Sequence, residues 1–359
     1  MKIKRIKVWK ENLLLTKPYT IAVHTIDSAE NAFVYIELEN GVGGIGAASP
    51  AEFVTGENMD HTMLGLEQKA AELLLGKDIR TFQAIIRESN KQLWAQPAAR
   101  AAIDIALHDA FTKNLGIPLL QYLGQVHKGL PTSVTIGIKS LEETLEEAAE
   151  NVQKGFKVIK LKTGLDVEAD VAIFAKLREK VGSEIKIRVD ANQSYNADDL
   201  VQFVKRTQHL NVELIEQPFP PKDREQMRLQ PADIRSICMA DEDLHSPADA
   251  VALAAHPQPY GLFNIKLMKC GGVSQGIKIA EVAEHAGIQL MWGCMDESIV
   301  SITAALCAAL ASPATHYLDL DGSFDIAKDI VRGGFILQDG CLYPNDAPGL
   351  GVELIENPF

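Results

Sequence analysis

The chain has 359 residues, which is long enough for a barrel of about 250 residues plus a smaller domain. Its 35 basic and 48 acidic side chains give a formal net charge of −13, and no basic cluster beyond the short N-terminal strand stands out. This balance argues against nucleic acid as a partner. The five cysteines have neither the spacing of a disulfide framework nor a C-x-x-C zinc motif.

The N-terminal segment MKIKRIKVWKENLLL mixes apolar and basic residues and lacks a long apolar run, so it predicts an edge strand rather than a signal peptide. The apolar stretch from Ile302 to Ala311 is too short to span a membrane. We therefore expect a cytoplasmic protein without a membrane partner. The sequence leaves the oligomeric state open, and a homo-oligomer is compatible with it.

The first third of the chain predicts two strands followed by helices. Alternation of apolar and polar residues around residues 6–8 and 34–38 predicts antiparallel strands. A loop is expected between them over residues 17–28, and a second loop through residues 50–56; both are long enough to reach over a site. Helices are predicted from about Met59 to Leu123, and a change of composition at residues 124–131 marks a domain boundary.

Eight apolar runs then alternate with amphipathic helical segments, and this count closes a parallel barrel. The runs are Val134–Ile138, Val158–Lys162, Ile187–Asp190, Leu214–Glu216, Met239–Asp241, Phe263–Lys266, Leu290–Trp292 and Tyr317–Asp319. Ser140 and Glu143 form a capping box that begins the first intervening helix. We therefore expect three parts: residues 1–124 as an α+β domain, 125–322 as the barrel, and 323–359 as a tail that packs back on the N-terminal part.

Three acids end neighbouring runs of the predicted barrel. Asp190, Glu216 and Asp241, followed by Lys266, stand at nearly equal intervals of 26, 25 and 25 residues. Residues at the carboxyl ends of barrel strands point to the active face, where three carboxylates would repel one another without a cation. An all-oxygen set of this kind favours Mg²⁺, with Mn²⁺ as a substitute. The alternative interpretation is three unrelated helix N-caps, which the equal spacing disfavours.

Lysines end two runs on opposite sides of the predicted ring. Lys160 and Lys162 alternate onto one face of the second strand, and Lys266 ends the sixth strand. A nearby ammonium and a metal ion are expected to lower a lysine pKa toward that of a general base. Two opposed lysines can remove a proton from one face of a carbon acid and return it to the other, which points to chemistry through an enediolate.

These motifs resemble the enolase superfamily, in its muconate-lactonizing subgroup, over essentially the whole chain. The matching segments are Lys160-Leu-Lys162, Asp190-Ala-Asn192, Glu216-Gln-Pro218, Ala240-Asp241-Glu242 and Lys266-Leu-Met-Lys269-Cys-Gly-Gly272. The resemblance implies an α/β fold, a modified TIM barrel of (β/α)7β type, with an α+β capping domain built from the N-terminal region and the C-terminal tail. It also implies one Mg²⁺ on Asp190, Glu216 and Asp241. In the same resemblance Lys162 and Lys266 are the acid/base pair, and Lys160 contacts the substrate carboxylate.

The seventh and eighth strand ends indicate the reaction within the subgroup. Asp319-Leu-Asp321 resembles the dipeptide epimerases, in which this pair holds the α-ammonium group of the substrate. Paired carboxylates suit a cation and would repel the carboxylate-rich ligands of a cycloisomerase or an o-succinylbenzoate synthase, the alternative activities. Two alternative interpretations assign no catalysis to these features. In one, Asp319 and Asp321 only cap the following turn; in the other, the whole barrel is a non-enzymatic scaffold. Thr135 and the backbone around Asp296 are expected to be secondary substrate contacts.

One residue departs from the relatives that act on L-Ala-D/L-Glu. The chain has His24 where those enzymes carry an arginine that pairs with the glutamate side chain of the substrate. Histidine has no such bidentate fork, so a neutral or hydrophobic dipeptide is the favoured substrate and L-Ala-D/L-Glu the alternative. The alternative that His24 is an ordinary loop residue, and that another group sets the substrate specificity, stays open.

Overall fold

The structure is a computed structural model that describes residues 1–21, 24–164 and 166–359, and side chains outside residues 17–26. It begins with a three-stranded antiparallel sheet in the order β1-β2-β3. These strands are β1 (Ile3–Ile21), β2 (His24–Leu38) and β3 (Gly43–Ala48). Five helices follow: α1 (Glu52–Thr55), α2 (Met59–Leu74), α3 (Phe82–Gln92), α4 (Pro97–Leu115) and α5 (Leu119–Leu123).

The long first hairpin differs from the prediction of a loop over residues 17–28. The backbones of β1 and β2 stay paired as far as Ile21 opposite His24, with an irregular register between Leu14 and Tyr19. Pro18 lies in that irregular stretch, on the edge strand of the sheet, where a missing N–H costs no ladder hydrogen bond. Because a proline and mixed polarity are atypical of a strand, sequence analysis predicted a loop for this stretch.

Glycines in β3 allow the sheet to pack closely on α4. A Cβ atom at Gly46 would lie 1.9 Å from the carbonyl oxygen of Ala102, and one at Gly44 would lie 2.5 Å from that of Ala106. The facing stretch of α4 is an alanine-rich, fully buried surface. Because β3 has glycines at these contact positions and α4 has alanines, the sheet can pack directly against the helix.

A closed barrel of eight parallel strands occupies the centre of the chain. After β4 (Leu130–Pro131), its strands are β5 (Ser133–Ile136), β6 (Val158–Lys162), β7 (Lys186–Asp190), β8 (Val212–Glu216), β9 (Cys238–Ala240), β10 (Leu262–Lys266), β11 (Gln289–Gly293) and β12 (Thr315–Asp319). The strands neighbour one another in chain order, and a parallel bridge between Thr132 and Leu318 joins the two ends. All eight predicted runs are therefore confirmed, although the first ends two residues earlier than predicted and Asp241 lies one residue beyond its strand.

Helices between successive strands complete the (β/α)7β pattern and cover the outside of the barrel. They are α6 (Leu141–Gln153), α7 (Val167–Val181), α8 (Ala197–Thr207), α9 (Arg224–Arg228), α10 (Ala232–Ile237), α11 (Pro247–Ala254), α12 (Leu267–Cys270), α13 (Val273–Ala286) and α14 (Ile299–Leu310). The capping box of Ser140 and Glu143 begins α6 as predicted. Among the described residues, no helix combines the length and the apolar character needed to cross a bilayer.

The C-terminal segment contains four short strands and contacts the N-terminal sheet. These are β13 (Val331–Gly333), β14 (Phe335–Gln338), β15 (Cys341–Pro344) and β16 (Val352–Leu354). The Thr16 N–H donates to the carbonyl of Asp325 at 2.7 Å, and the ring of Phe359 packs edge-on against Tyr35 at 5.6 Å. This segment therefore contacts β1 at Thr16 and β2 at Tyr35.

Candidate active site

The registers of the barrel place the candidate residues in one layer at the carboxyl ends of the strands. Lys162 is paired with Asp190, and Asp190 with Glu216, across three neighbouring strands. On the other side of the ring, Lys266 and Asp319 both pair with Gly293. The order of the strands puts β6 and β10 opposite each other, so Lys162 and Lys266 face the same space from two sides.

Lys160 is buried at the centre of the carboxylates. Its Nζ lies 3.1 Å from Asp190 Oδ2, 2.8 Å from Glu216 Oε2 and 2.9 Å from Asp319 Oδ2. Burial alone would lower the pKa of this lysine, but the three carboxylates raise the pKa well above its ordinary value. Lys160 is thus a permanent cation that joins two of the predicted metal ligands to the predicted ammonium-binding aspartate.

Two lysines hold Asp241. Lys266 Nζ donates to Asp241 Oδ2 at 2.7 Å, and the fully buried Lys269 donates to Oδ1 and to the backbone carbonyl of the same residue. Burial opposes the charge of Lys266, but Asp241 and Glu216 raise its pKa. This direction differs from the prediction of a lowered pKa, because the protein groups around Lys266 are mainly carboxylates. A divalent cation on those carboxylates would offset their charge.

Of the three predicted metal ligands, Glu216 is the carboxylate whose charge is least well compensated. Burial and the neighbouring Asp190 raise its pKa to about 8, whereas for Asp190 the lysines Lys160 and Lys162 outweigh burial and lower the pKa. Glu216 Oε1 accepts a hydrogen bond from Asn264 Nδ2 at 2.7 Å. Its buried Oε2 accepts no well-aligned hydrogen bond from the described residues. Such an oxygen fits a cation ligand.

The donor set fits a hard divalent cation in chemistry, but the side chains are not already arranged around one point. Asp190, Glu216 and Asp241 supply only carboxylate oxygens, which Mg²⁺ prefers. Within the described part of the chain, however, no three acidic, histidine or cysteine side chains converge as ready ligands. The ammonium groups of Lys160 and Lys266 lie against these oxygens instead. Binding of a cation therefore requires these lysines to give up part of their contacts.

Lys162 is the more accessible of the two opposed lysines. Its side chain is 38% exposed, its Nζ lies 3.5 Å from Asp190 Oδ2, and it donates to Asn192 Oδ1 at 2.8 Å. Asn192 has a φ of 42°, in the left-handed region that non-glycine residues rarely adopt. This turn aims the amide of Asn192 back at the lysine and so fixes the direction of its ammonium group.

Asp319 and Asp321 follow the eighth strand but have different surroundings. Asp319 is bound by Lys160 and accepts from Ser133 Oγ at 2.5 Å. Asp321 accepts from the backbone N–H of Thr135 at 2.7 Å and has no lysine or arginine within ion-pair distance among the described residues. Burial, reinforced by repulsion from Asp319, raises the pKa of Asp321 to about 7. A positively charged ligand group would supply the missing partner.

Of the remaining predicted contacts, Thr135 and Asp296 lie near this site. Thr135 is register-paired with Lys160, and its N–H binds Asp321. The carbonyl oxygen of Asp296, in the turn after the seventh strand, accepts from Ser49 Oγ at 2.8 Å. The prediction for His24 concerns a side chain outside the described residues, so the structure does not place it.

Sequence analysis assigned no role to several residues that hold the site together. Asn264 lies two residues before Lys266 on β10, and strand alternation could have placed both in the barrel interior. Lys269 is part of the motif that begins at Lys266, but its position along the chain did not indicate a role. Its ion pair with Asp241 depends on the turn that leads into α12. Asn192 belongs to the motif Asp190-Ala-Asn192 but was given no role, because a left-handed turn sets its contact with Lys162. Ser133 carries no sequence signal, because closure of the barrel sets its partner Asp319.

Two family models match this chain and cover most of it. Residues 3–124 match the N-terminal domain of the mandelate racemase and muconate lactonizing enzymes, and residues 143–357 match an enolase C-terminal domain-like region. The chain therefore belongs to the mandelate racemase and muconate lactonizing enzyme family of the enolase superfamily, as the sequence motifs predicted.

Characterised relatives are similar over nearly their whole length. An L-Lys-D/L-Arg epimerase of Desulforapulum autotrophicum is 54% identical over 99% of this chain and 100% of its own. A hydrophobic dipeptide epimerase of Enterococcus faecalis is 36% identical over 98% of this chain and 99% of its own. The crystal structure of a dipeptide epimerase of Methylococcus capsulatus, complexed with Mg and the dipeptide L-Arg-D-Lys, has a TM-score of 0.95 at 51% identity and covers 98% of this chain and 99% of its own.

Proposed function

We propose that the protein is a Mg²⁺-dependent dipeptide epimerase that inverts the α-carbon of the C-terminal residue of its substrate. The observation that carries this proposal is the placement of Lys162 and Lys266 on opposite strands of one layer, with three carboxylates between them. A two-base proton transfer needs this arrangement, because the two faces of a planar carbon must each meet their own acid or base.

Asp190, Glu216 and Asp241 would hold the metal ion. Their carboxylate oxygens are the ligand type that Mg²⁺ requires. When bound, the ion supplies positive charge that stabilises negative charge developing on the substrate carboxylate.

The residues of the chain perform the remaining tasks. Lys160, already cationic between Asp190 and Asp319, attracts the carboxylate of the dipeptide. Asp321, with Asp319 beside it, binds the α-ammonium group at the other end of the substrate. These two anchors hold the α-carbon between Lys162 and Lys266, one of which removes its proton while the other returns a proton to the opposite face.

We further infer that cationic dipeptides are the preferred substrates, ahead of the neutral or hydrophobic ones that His24 alone favoured. Similarity to the L-Lys-D/L-Arg epimerase is greater than to the hydrophobic dipeptide epimerase, at 54% against 36% identity. A histidine lacks the permanent charge of an arginine, so it repels a cationic substrate side chain less than an arginine would. The net charge of −13 also favours encounter with cations. We propose a cytoplasmic location, and residues 1–124 with the tail as the capping domain.

A panel of dipeptides in D₂O tests this function. Each dipeptide is incubated with the enzyme and Mg²⁺, and loss of the C-terminal α-proton is followed by NMR. We expect exchange and epimerisation to be fastest for L-Lys-L-Arg, slower for L-Leu-L-Tyr, and slowest for L-Ala-L-Glu. Chelation of the metal should abolish exchange. Absence of α-proton exchange from every dipeptide, with Mg²⁺ present and the protein folded, would refute the proposed function.

The raised pKa of Asp321 predicts a dependence of substrate binding on pH. Because its carboxyl group becomes protonated below about pH 7, kcat/KM for a dipeptide should fall as the pH is lowered through 7, while kcat changes less. Asp321→Asn should lose this step and lower kcat/KM at pH 8 by roughly thirty-fold or more, since a buried partner of the ammonium group is gone. The exposed Asp346→Asn is the control. A step at pH 7 that persists in Asp321→Asn would assign the titration to another group.

A further inference from the structure

The segment of residues 294–298 follows β11, the strand that lies between the strands of Lys266 and Asp319. It begins after Gly293, which is register-paired with both Lys266 and Asp319. Cys294 Sγ contacts the carbonyl oxygen of Asp319 at 3.2 Å and accepts from the Gly322 N–H at 3.3 Å. The first residues of the segment are thus held by the barrel, beside the position of the α-carbon.

The far end of the same segment is held by the N-terminal sheet, in addition to the bond from the Glu297 N–H to the Gly322 carbonyl at 3.2 Å and the bond from Ser298 Oγ to Asp329 at 2.9 Å. Asn31, fully buried on β2, accepts from the Ser298 N–H at 3.0 Å and donates through Nδ2 to the carbonyl of Asp296 at 3.3 Å. Ser49, directly after β3, donates through Oγ to that same carbonyl at 2.8 Å. One amide side chain and one hydroxyl therefore fix the backbone on both sides of residue 297.

These contacts tie the turn to the hairpin of β1 and β2. Asn31 lies on β2, the strand that begins at His24 beside the hairpin tip. Its neighbour Ala32 pairs with Ala48, so Asn31 and Ser49 project from adjacent positions of the two strands. An asparagine can serve as donor and acceptor at once, which an aspartate or a leucine of similar size cannot do.

We propose that Asn31, assisted by Ser49, is a positioning residue that sets the pocket for the C-terminal side chain of the dipeptide. The barrel fixes the turn near the α-carbon, and Asn31 fixes it three to five residues beyond the strand end, on the side of the capping sheet. A short side chain next to Lys266 stays near the strand end. A long side chain extends toward the part of the turn that Asn31 holds. This inference rests on the proposed function.

The test compares Asn31→Ala with the wild type on two dipeptides whose C-terminal side chains are a long cationic one and a single methyl group. Loss of the α-proton in D₂O is measured for L-Lys-L-Arg and for L-Lys-L-Ala. Because two hydrogen bonds to the turn are removed, we expect kcat/KM for L-Lys-L-Arg to fall roughly ten-fold, mainly through KM. For L-Lys-L-Ala we expect a change below about two-fold. Ser49→Ala, which removes a single hydroxyl, should show the same selectivity with a smaller loss.

Asn345→Ala is the matched control, because this asparagine also links two backbone groups, the Gly351 carbonyl and the Ala347 N–H, in the C-terminal segment. It should leave the ratio of the two substrates unchanged. Equal losses on both dipeptides in Asn31→Ala, or no loss on either, would overturn the inference. If Asn31→Ala does not fold, the inference is tested with Ser49→Ala, through the ratio of kcat/KM for L-Lys-L-Arg to kcat/KM for L-Lys-L-Ala. A wild-type protein that exchanges neither of these dipeptides nor any other dipeptide of the panel would instead refute the proposed function.

Discussion

Lys266→Ala is expected to lose epimerisation by about a thousand-fold while still exchanging the α-proton of one epimer of the dipeptide. Lys162 and Lys266 stand on opposite strands of the barrel, so each reaches one face of the α-carbon. With Lys266 removed, Lys162 can still take and return a proton on its own side. In D₂O, NMR should show washout from the epimer that presents its proton to Lys162 and none from the other.

The reciprocal variant and a remote lysine make this test specific. Lys162→Ala should exchange only the opposite epimer. Lys186→Ala removes an exposed lysine at the other end of a barrel strand and should leave both exchange reactions intact. Asp241 keeps its contacts with Lys269 when Lys266 is replaced, so the fold should persist. Loss of exchange from both epimers in a folded Lys266→Ala protein would contradict the two-face mechanism.

The barrel and the layer of charged strand ends could be predicted because both depend on local pattern. Each strand is a short apolar run, and consecutive strands are neighbours in the sheet, so equal spacing along the chain becomes adjacency in space. Asp190 and Glu216 are therefore register-paired as their positions suggested. No knowledge of distant contacts is needed for this step.

Contacts between distant parts of the chain could not be predicted. Lys160 meets Asp319 only because the barrel closes between β5 and β12, which are remote in sequence. Sequence analysis placed Lys160 at the substrate carboxylate but did not foresee that it also joins the metal ligands to the ammonium site. Asn31 was missed for the same reason, since its partners lie at residues 296 and 298 of the barrel.

Lys160 also explains how the two halves of the site are coupled. A single ammonium group contacts Asp190 and Glu216 on one side and Asp319 on the other. A ligand that changes the charge at Asp190 and Glu216 also alters the electric field at Asp319, and the reverse holds too. The reason is that Lys160, which lies between them, is buried and poorly screened by solvent. Binding of a metal ion to the first set should therefore leave Lys160 freer to attract the substrate carboxylate.

Lys269 is a buried counter-charge of Asp241. Its side chain has no exposed surface, and its ammonium group is shared between Asp241 Oδ1, the Asp241 carbonyl and the Asn264 carbonyl, the last at 3.2 Å. The ends of β9 and β10 are thus joined by one cation. Because Lys266 binds the other oxygen of Asp241, Lys269 can keep the carboxylate oriented when Lys266 moves.

Lys269→Met should lower the free energy of unfolding by about 3–5 kcal/mol, because it leaves a buried carboxylate oxygen and two carbonyls without their donor. In a chain of this length the melting temperature should fall by roughly 5 °C. Chemical denaturation of the wild type and the variant, each without added metal, measures the difference. Lys176→Met is the control, since Lys176 pairs with Glu179 on an exposed helix surface and should leave the stability essentially unchanged. Equal, small effects in both variants would show that Asp241 does not depend on Lys269, and its orientation would then have to come from Lys266 alone.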